Sequence, residues 1–475
     1  MKRVITLMLA LALVFGAVAN SSATDFKAKG TYQIGYQWTD NTNFNDADSD
    51  GASEDDFVAK QRFRTQIDIV SSENLSGVVF FEINNTWGRT SGGAGNGAGG
   101  AIGADGVNVQ TRRAFIDWTV PNTALDIRMG IQGLALPGVV AGSPVLDNDV
   151  AAVVATYKFN DMFSMNAVWA RPFDTSAGED TTVNAQDEMD VFALIGGVKM
   201  DGMEFTPWAA YAAVGKDIAD IGNELPGLLS VAGAQGVETY EDNARAYWLG
   251  LGFSMDMFDP IVFKMDAMYG SVDSGDAKNS SNDDALDRSG WTMIGKLSYK
   301  MDMVTPGVIG WYSSGEDDDV TNGSERLPRV DGSFTATSFG FDGAAAGFAS
   351  QDNIGLTNEG TWAAGLLLED IKVIDSLTSQ FRVVYVKGTN DADFLDSYVN
   401  DYAGAKSDLL GTMLTDEDSA WEINFDHKYD IYENLALFVE MGYINLDLDE
   451  DAWGITDNSY DDDAYKLGFV FQYTF

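Results

Sequence analysis

From residue 26 onward, apolar and polar positions alternate. Phe26, Ala28, Gly30, Tyr32, Ile34, Tyr36 and Trp38 share one parity, and Lys27, Lys29, Thr31, Gln33, Gly35 and Gln37 the other. A period of two is the side-chain period of a strand with one face against an apolar medium and one against water. The run exceeds the ~5–6 residues usual for strands of soluble domains. Similar segments recur at approximately 59–71, 77–89, 107–120, 124–132, 150–159, 163–172, 189–200, 203–215, 244–255, 260–270, 290–300, 305–314, 360–371, 379–389, 419–429, 435–447 and 463–475, which makes 18 with the first. Their connections alternate between short ones, such as 160–162 and 200–202, and long ones, such as 90–106, 216–243 and 315–359. This predicts an all-β transmembrane antiparallel barrel of 18 strands, with 16 as the alternative, short periplasmic turns and long extracellular loops.

Two further observations set the class. Lys2 and Arg3 precede an apolar stretch over 4–18, followed by Ala17-Val18-Ala19 and Ser21-Ser22-Ala23, each a small-residue cleavage pattern. Residues 1–23 therefore read as a signal peptide cut after Ala23, with Ala19 as the other option, leaving 24–475 as one barrel domain. Against 73 Asp+Glu the chain carries 29 Lys+Arg, for a net charge of -44. Such a surface repels a phosphate backbone, so nucleic acid is excluded as a partner. The absence of Cys removes disulfides, thiolate-bound metals and thiol catalysis.

The last strand repeats the alternation. Tyr465, Leu467, Phe469, Phe471, Tyr473 and the terminal Phe475 stand against Lys466, Gly468, Val470, Gln472 and Thr474. An aromatic stripe ending in Phe475 resembles the terminal signature by which barrel-assembly machinery recognises bacterial outer-membrane barrels. Three further pieces, TDFKAKGTYQIGYQW, TRRAFIDWTVPNTALDIRMGIQ and GSERLP followed by TSFGFDG, resemble the general trimeric porins, in particular those of sulfate-reducing bacteria. The resemblance implies a homotrimer in the outer membrane of a Gram-negative bacterium, set among lipid and lipopolysaccharide. It implies a pore for small hydrophilic solutes, narrowed by a loop folded inward.

Parity also sorts the charges. If Phe63, Ile67 and Ile69 face lipid, then Lys60, Arg62, Arg64, Gln66 and Asp68 face the lumen; the same reasoning turns Arg113, Asp117, Asp126, Arg128 and Gln132 inward. A lipid-facing cation at mid-membrane would cost ~2–4 kcal/mol, which fixes the assignment. Arg62, Arg64, Arg113 and Arg128 thus form a basic stripe in an otherwise acidic protein. By resemblance, the segment 133–149 is the inward loop, and its Asp147 and Asp149 would oppose those arginines. The plainer alternative is that the arginines pair with Glu82, Asp117 and Asp126 to fill the lumen.

Acids elsewhere gather at 46–56, 316–319, 447–451 and 461–463, which reads as solvated outer loops. Asp46, Asp48 and Asp50, followed by Gly51, match the first half of a calcium loop, but its twelfth position is Phe57, so at most a loosely bound Ca²⁺ is expected and no other cofactor. The lone His427 shares the lipid-facing parity of Trp421, Ile423 and Phe425, with no serine evidently paired to it, so no enzyme is expected. Phe80, Phe115, Trp208, Tyr247 and Phe438 are counted inward but scattered. The sequence thus favours a passive diffusion channel, with a substrate-selective channel or a non-conducting structural or receptor barrel as alternatives.

Overall fold

In the computed structural model the alternating segments hydrogen-bond into one closed sheet. It describes residues 24–475 apart from 43, 45–54, 90–99, 103–108, 175–185, 219–226, 229–241, 276–285, 342–355, 403–404, 407–408, 410 and 456–462. The strands are β1 (Asp25–Asp40), β2 (Asp55–Ser72), β3 (Leu75–Thr86), β4 (Gln110–Thr119), β5 (Leu125–Ala135), β6 (Asp147–Lys158), β7 (Phe163–Asp174), β8 (Glu188–Met200) and β9 (Met203–Val214). They continue with β10 (Ala244–Phe258), β11 (Ile261–Asp273), β12 (Arg288–Tyr299), β13 (Thr305–Ser313), β14 (Thr361–Ile374), β15 (Leu377–Gly388), β16 (Ser419–Tyr432), β17 (Leu435–Asp447) and β18 (Asp463–Thr474). Each pairs antiparallel with its sequence neighbours, and β1 closes on β18 from Thr31↔Thr474 to Asp40↔Tyr465. Closure leaves no unpaired edge, the condition for a sheet that crosses a bilayer. The sheet has 18 strands, not 16.

One end of the barrel carries tight turns such as 73–74, 201–202 and 433–434, and the other carries the long connections. Within those connections, α1 (Asp393–Tyr402) packs near α2 (Glu450–Trp453), whose first turn is capped by Asp449 accepting from the Ala452 N–H.

The outer face is apolar, with aromatic bands near both ends. Toward the loop end Tyr211 meets Tyr247, Trp291 stacks on Tyr312, and Tyr385 contacts Trp362 and Trp421. Toward the turn end Phe159 contacts Tyr157 and Phe163. Such girdles mark the two interfaces of a membrane barrel.

The core lies inside. Val150, Ala152, Val168, Ala170, Val191, Ala193, Ala210 and Ala212 face inward from β6 to β9, with Trp208 and Trp248, and are covered by Leu136, Val145, Leu146 and Leu327 from two long connections. A second cluster joins Ile294, Trp311, Leu367, Val384 and Ile444 of the wall to Phe334, Phe339 and Phe341. Strands β1 to β4 contribute no residue to either cluster. Two glycines make the seat possible: a side chain at Gly250 would collide with the Trp208 ring, and one at Gly270 with Trp248 and Pro328.

Candidate constriction and lumen wall

Two connections fold into the barrel and are tied to its far walls. In the first, 136–146, the backbone N–H groups of Val139 and Val140 donate to the carboxylate of Asp266 on β11 at 2.8–2.9 Å. This stretch therefore crosses from β5 to β11, its backbone donors satisfied by a buried side chain of the far wall. The second, between β13 and β14, is held at one end by Trp248 Nε1 donating to the Pro328 carbonyl (2.8 Å) and by the buried Arg288 donating to the carbonyls of Arg326 (3.1 Å) and Leu327 (2.9 Å). At its other end Glu422 accepts from the N–H groups of Phe339 and Gly340 (both 3.1 Å) and from Thr337 Oγ1 (2.7 Å). Lys466 Nζ donates to the Ser338 carbonyl (2.6 Å) and to Glu440 (2.9 Å). The two connections also bond to each other: the N–H groups of Val330, Ser333 and Thr335 donate to the carbonyls of Val145, Ser143 and Ala141, and Asp147 N–H to the Asp331 carbonyl.

The second connection holds a buried charge cluster. Glu359 lies 2.6 Å from Arg288, 3.0 Å from Arg329 and 3.7 Å from Arg326. Burial would raise its carboxyl, but the three guanidinium charges outweigh that and hold it below the ordinary carboxylate range. Glu316 and Glu325 are raised instead. Burial dominates for both, and Glu325 is pushed up to about 7, opposed by a hydrogen bond from Asp317 N–H and reinforced by the charges of Asp317 and Glu316. The expected solvated loop at 316–319 is corrected at Glu316 alone, since Asp318 and Asp319 are exposed. Glu316 is buried, and accepts from Ser324 Oγ (2.7 Å) and the Glu325 N–H (3.3 Å), because this connection packs into the barrel.

The wall left outside the apolar clusters carries the charges that parity turned inward. Glu82 accepts from Arg64 (2.5 Å) and Arg112 (3.1 Å), with Arg62 at 4.0 Å. Asp149 accepts from Arg112 Nε (2.7 Å) and Arg113 Nε (2.6 Å). Arg62, Arg64 and Arg113 are thus brought into one network. Arg128 stands apart, bound through two nitrogens to Asp117 at 2.6 and 3.0 Å and held 4.3 Å over the Phe115 ring. Arg112 was not among the sequence candidates. The β3–β4 register skips it, Phe80↔Arg113 being followed by Phe81↔Thr111, and the extra residue of this bulge lets consecutive arginines reach the same acids. The signal was two adjacent arginines in a strand, one of which a strict period of two would turn into lipid.

Of the two acids assigned to the inward loop, both belong to β6, since the loop proper ends at residue 146. Asp149 meets two arginines, although its backbone parity is that of the exposed Ala151. It does so where the β4–β5 ladder has already ended, at Ala114↔Ile131. Asp147 is exposed and makes no ion pair with these arginines. The residue that pins the loop is Asp266, legible only as a lone acid among apolar neighbours of β11.

The remaining candidates divide. Phe80, Phe115, Trp208 and Phe438 do face inward, but Tyr247 faces outward onto Tyr211, and its neighbour Trp248 is the inward ring. A one-residue error of parity moves a side chain across the wall. His427 faces outward as expected, yet a serine does pair with it, Ser379 Oγ lying 2.8 Å from Nδ1. Ser379 is buried, and no carboxylate hydrogen-bonds to the imidazole among the described residues. Phe475 exchanges two backbone hydrogen bonds with Gly30 (2.9 and 3.0 Å), and its ring stacks on Phe63 and Tyr473. Asp46, Asp48 and Asp50 lie outside the described residues; among the described ones no cluster of three or more metal-binding side chains occurs.

The sequence matches no protein-family model and no curated protein. Its fold, however, is shared with solved structures. OccK8 (OprE) of Pseudomonas aeruginosa superposes with a TM-score of 0.52 at 11% identity, covering 95% of this chain and 98% of that one. A BenF-like porin from Pseudomonas fluorescens Pf-5 gives 0.53 at 12% identity, covering 95% and 99%. OccK2 (OpdF) of Pseudomonas aeruginosa, solved in complex with glucuronate, gives 0.50 at 14%, covering 95% and 98%.

Proposed function

We propose that this protein forms a water-filled channel through the outer membrane of a Gram-negative bacterium and passes small hydrophilic solutes by diffusion. The observation that carries the reading is the pair of inward connections pinned across the barrel. They leave the inner faces of β1–β4 outside the apolar clusters, and those faces carry Arg62, Arg64, Arg112 and Arg113. An interior crossed by loops yet charged along one side suits permeation better than a filled structural barrel, because charges line a route only where water reaches them. Neighbours of the same fold that are named as porins support it.

A substrate-selective channel is the second reading, favoured by two connections rather than one narrowing the interior. Glucuronate in the OccK2 complex is a carboxylate, and a basic wall suits anions of that kind. In either reading the protein is not an enzyme. The resemblance of the quoted segments supports a homotrimer among lipid and lipopolysaccharide, exported with loss of residues 1–23 and assembled through its terminal Phe475. Purified protein in a planar bilayer tests the channel: unitary current steps are expected, and their absence over a wide protein concentration range would leave a non-conducting barrel. Unheated detergent samples should migrate far above 51.3 kDa; a monomer band under gentle extraction would remove the trimer.

A further inference from the structure

A cavity of about 530 Å³ opens on the inner wall of β4 to β8, between the root of the first inward connection and the turn end. It is of the size that holds a small molecule. Its lining is divided. Arg128, Asp117 and Asp126 form a charged side, and Val154, Val168 and Ile195 an apolar strip opposite, bordered by the hydrogen-bonded pair Thr156 and Asn166. Val154 is half-buried here, and Val168 and Ile195 border the covered core, so an apolar group of a ligand would extend that core into the cavity. We propose that this cavity is a binding subsite for a small zwitterion with an apolar side chain, such as an apolar α-amino acid. The proposal rests on the channel reading for the route by which the solute arrives.

The polar side supplies both signs within one molecule's reach. Asp126 and Arg128 are two residues apart on β5, so they share a face roughly 6–7 Å apart at the backbone. Flexible side chains and two hydrogen bonds can close that span around an ammonium and its neighbouring carboxylate. Arg128 is fixed by Asp117 on one edge and Phe115 beneath, while its side chain stays 45% exposed. A guanidinium has five donors, and two are used by Asp117, which leaves donors for a ligand carboxylate. Asp126 accepts from Thr119 Oγ1 through Oδ1 (2.7 Å), which orients its carboxylate while leaving acceptor capacity for an ammonium. The ligand's side chain would then lie over Val154, Val168 and Ile195. A purely anionic solute would use Arg128 alone, and a polar one would leave the apolar patch wet.

The test compares L-leucine with 4-methylpentanoate, which keeps the skeleton but lacks the ammonium, and with 3-methylbutylamine, which lacks the carboxylate. Binding is read two ways on the full-length purified barrel: as interruptions of the open-channel current, and by calorimetry in detergent, which reports the site whether or not the barrel conducts. Leucine should bind at least about tenfold tighter than either half-ligand, the effect of one charged hydrogen bond. Asp126→Asn should weaken leucine about tenfold and leave 4-methylpentanoate unchanged. Ile195→Gln should weaken all three. Equal binding of leucine and 4-methylpentanoate, or no binding of leucine, would overturn the proposal. Loss of current steps with calorimetric binding intact would strike the channel reading and leave the subsite standing.

Discussion

The inner faces of β1–β4 and of β6–β10 lie in the same barrel yet solve opposite problems. The first presents Arg62, Arg64 and Arg112, partly exposed, around the buried Glu82, and neither apolar cluster covers it. The second is lined by Val, Ala and Trp, and two backbone connections are pressed against it. The difference lies in what each face touches. Charges that line a passage need water, whereas a connection that crosses the interior needs buried apolar contacts and complete hydrogen bonding of its backbone. Hence four buried ionisable residues farther round the wall, Asp266 of β11, Arg288 of β12, Glu422 of β16 and Lys466 of β18, hydrogen-bond to backbone groups of the connections. In the proposed channel, the route would follow the first wall, and the second is a folded core.

Releasing the covered wall is expected to have the largest effect. Asp266→Ala leaves the Val139 and Val140 N–H groups without their acceptor, and Glu422→Ala does the same for Phe339 and Gly340. Each loss strands buried backbone donors, at ~1–3 kcal/mol apiece. The double variant should show unitary conductance raised severalfold and noisier; wild-type conductance would mean that these connections do not narrow the route.

Changing the charged wall should come next. Replacing Arg62, Arg64, Arg113 and Arg128 with Gln should move the reversal potential in a salt gradient toward the cation limit. Arg112→Gln added to the set should move it further. The shift should persist at 1 M salt, where the Debye length is only ~3 Å and distant loop acids are screened, because close lumen charges are screened least. An unchanged potential at every salt concentration would show that the arginines do not border the route.

A smaller effect concerns pH. Glu325, with its carboxyl pushed up to about 7, favours the protonated form in the folded connection. That contribution is complete below the ordinary carboxylate range and is lost as pH rises through 7. Because the group is partly exposed, no more than ~1 kcal/mol is at stake after solvent screening. Current noise should rise between pH 5 and pH 8, and Glu325→Gln should keep it low at pH 8. Equal pH dependence in the variant would assign the titration elsewhere.

Loss of Phe475 should alter the current through the assembled barrel least. Deleting it removes the two bonds to Gly30 and the stacking on Phe63, a few kcal/mol at most. Its consequence should appear in assembly, as a lower barrel yield in the membrane fraction. Unchanged yield would show that the terminal aromatic is ordinary girdle.

The period of two by itself determined that this chain forms a barrel, and nearly how many strands it has. Every strand presents one face to an apolar medium, and that constraint is local: it is written residue by residue, as in Phe26 to Trp38 or Tyr465 to Phe475. The basic stripe was legible for the same reason, since a cation can occupy only the wet face. What the tertiary structure alone decided lies where that contrast fails. On β6 to β10 both faces are apolar, so parity carries no information about what covers the inner one, and Tyr247 could be mistaken for its inward neighbour Trp248. The bulge that recruits Arg112, the crossing of 136–146 to Asp266 and the burial of Glu316 each depend on residues far apart in sequence meeting inside the barrel. No local pattern encodes such meetings, because the partner of a backbone N–H is chosen by where the closed sheet places an acceptor.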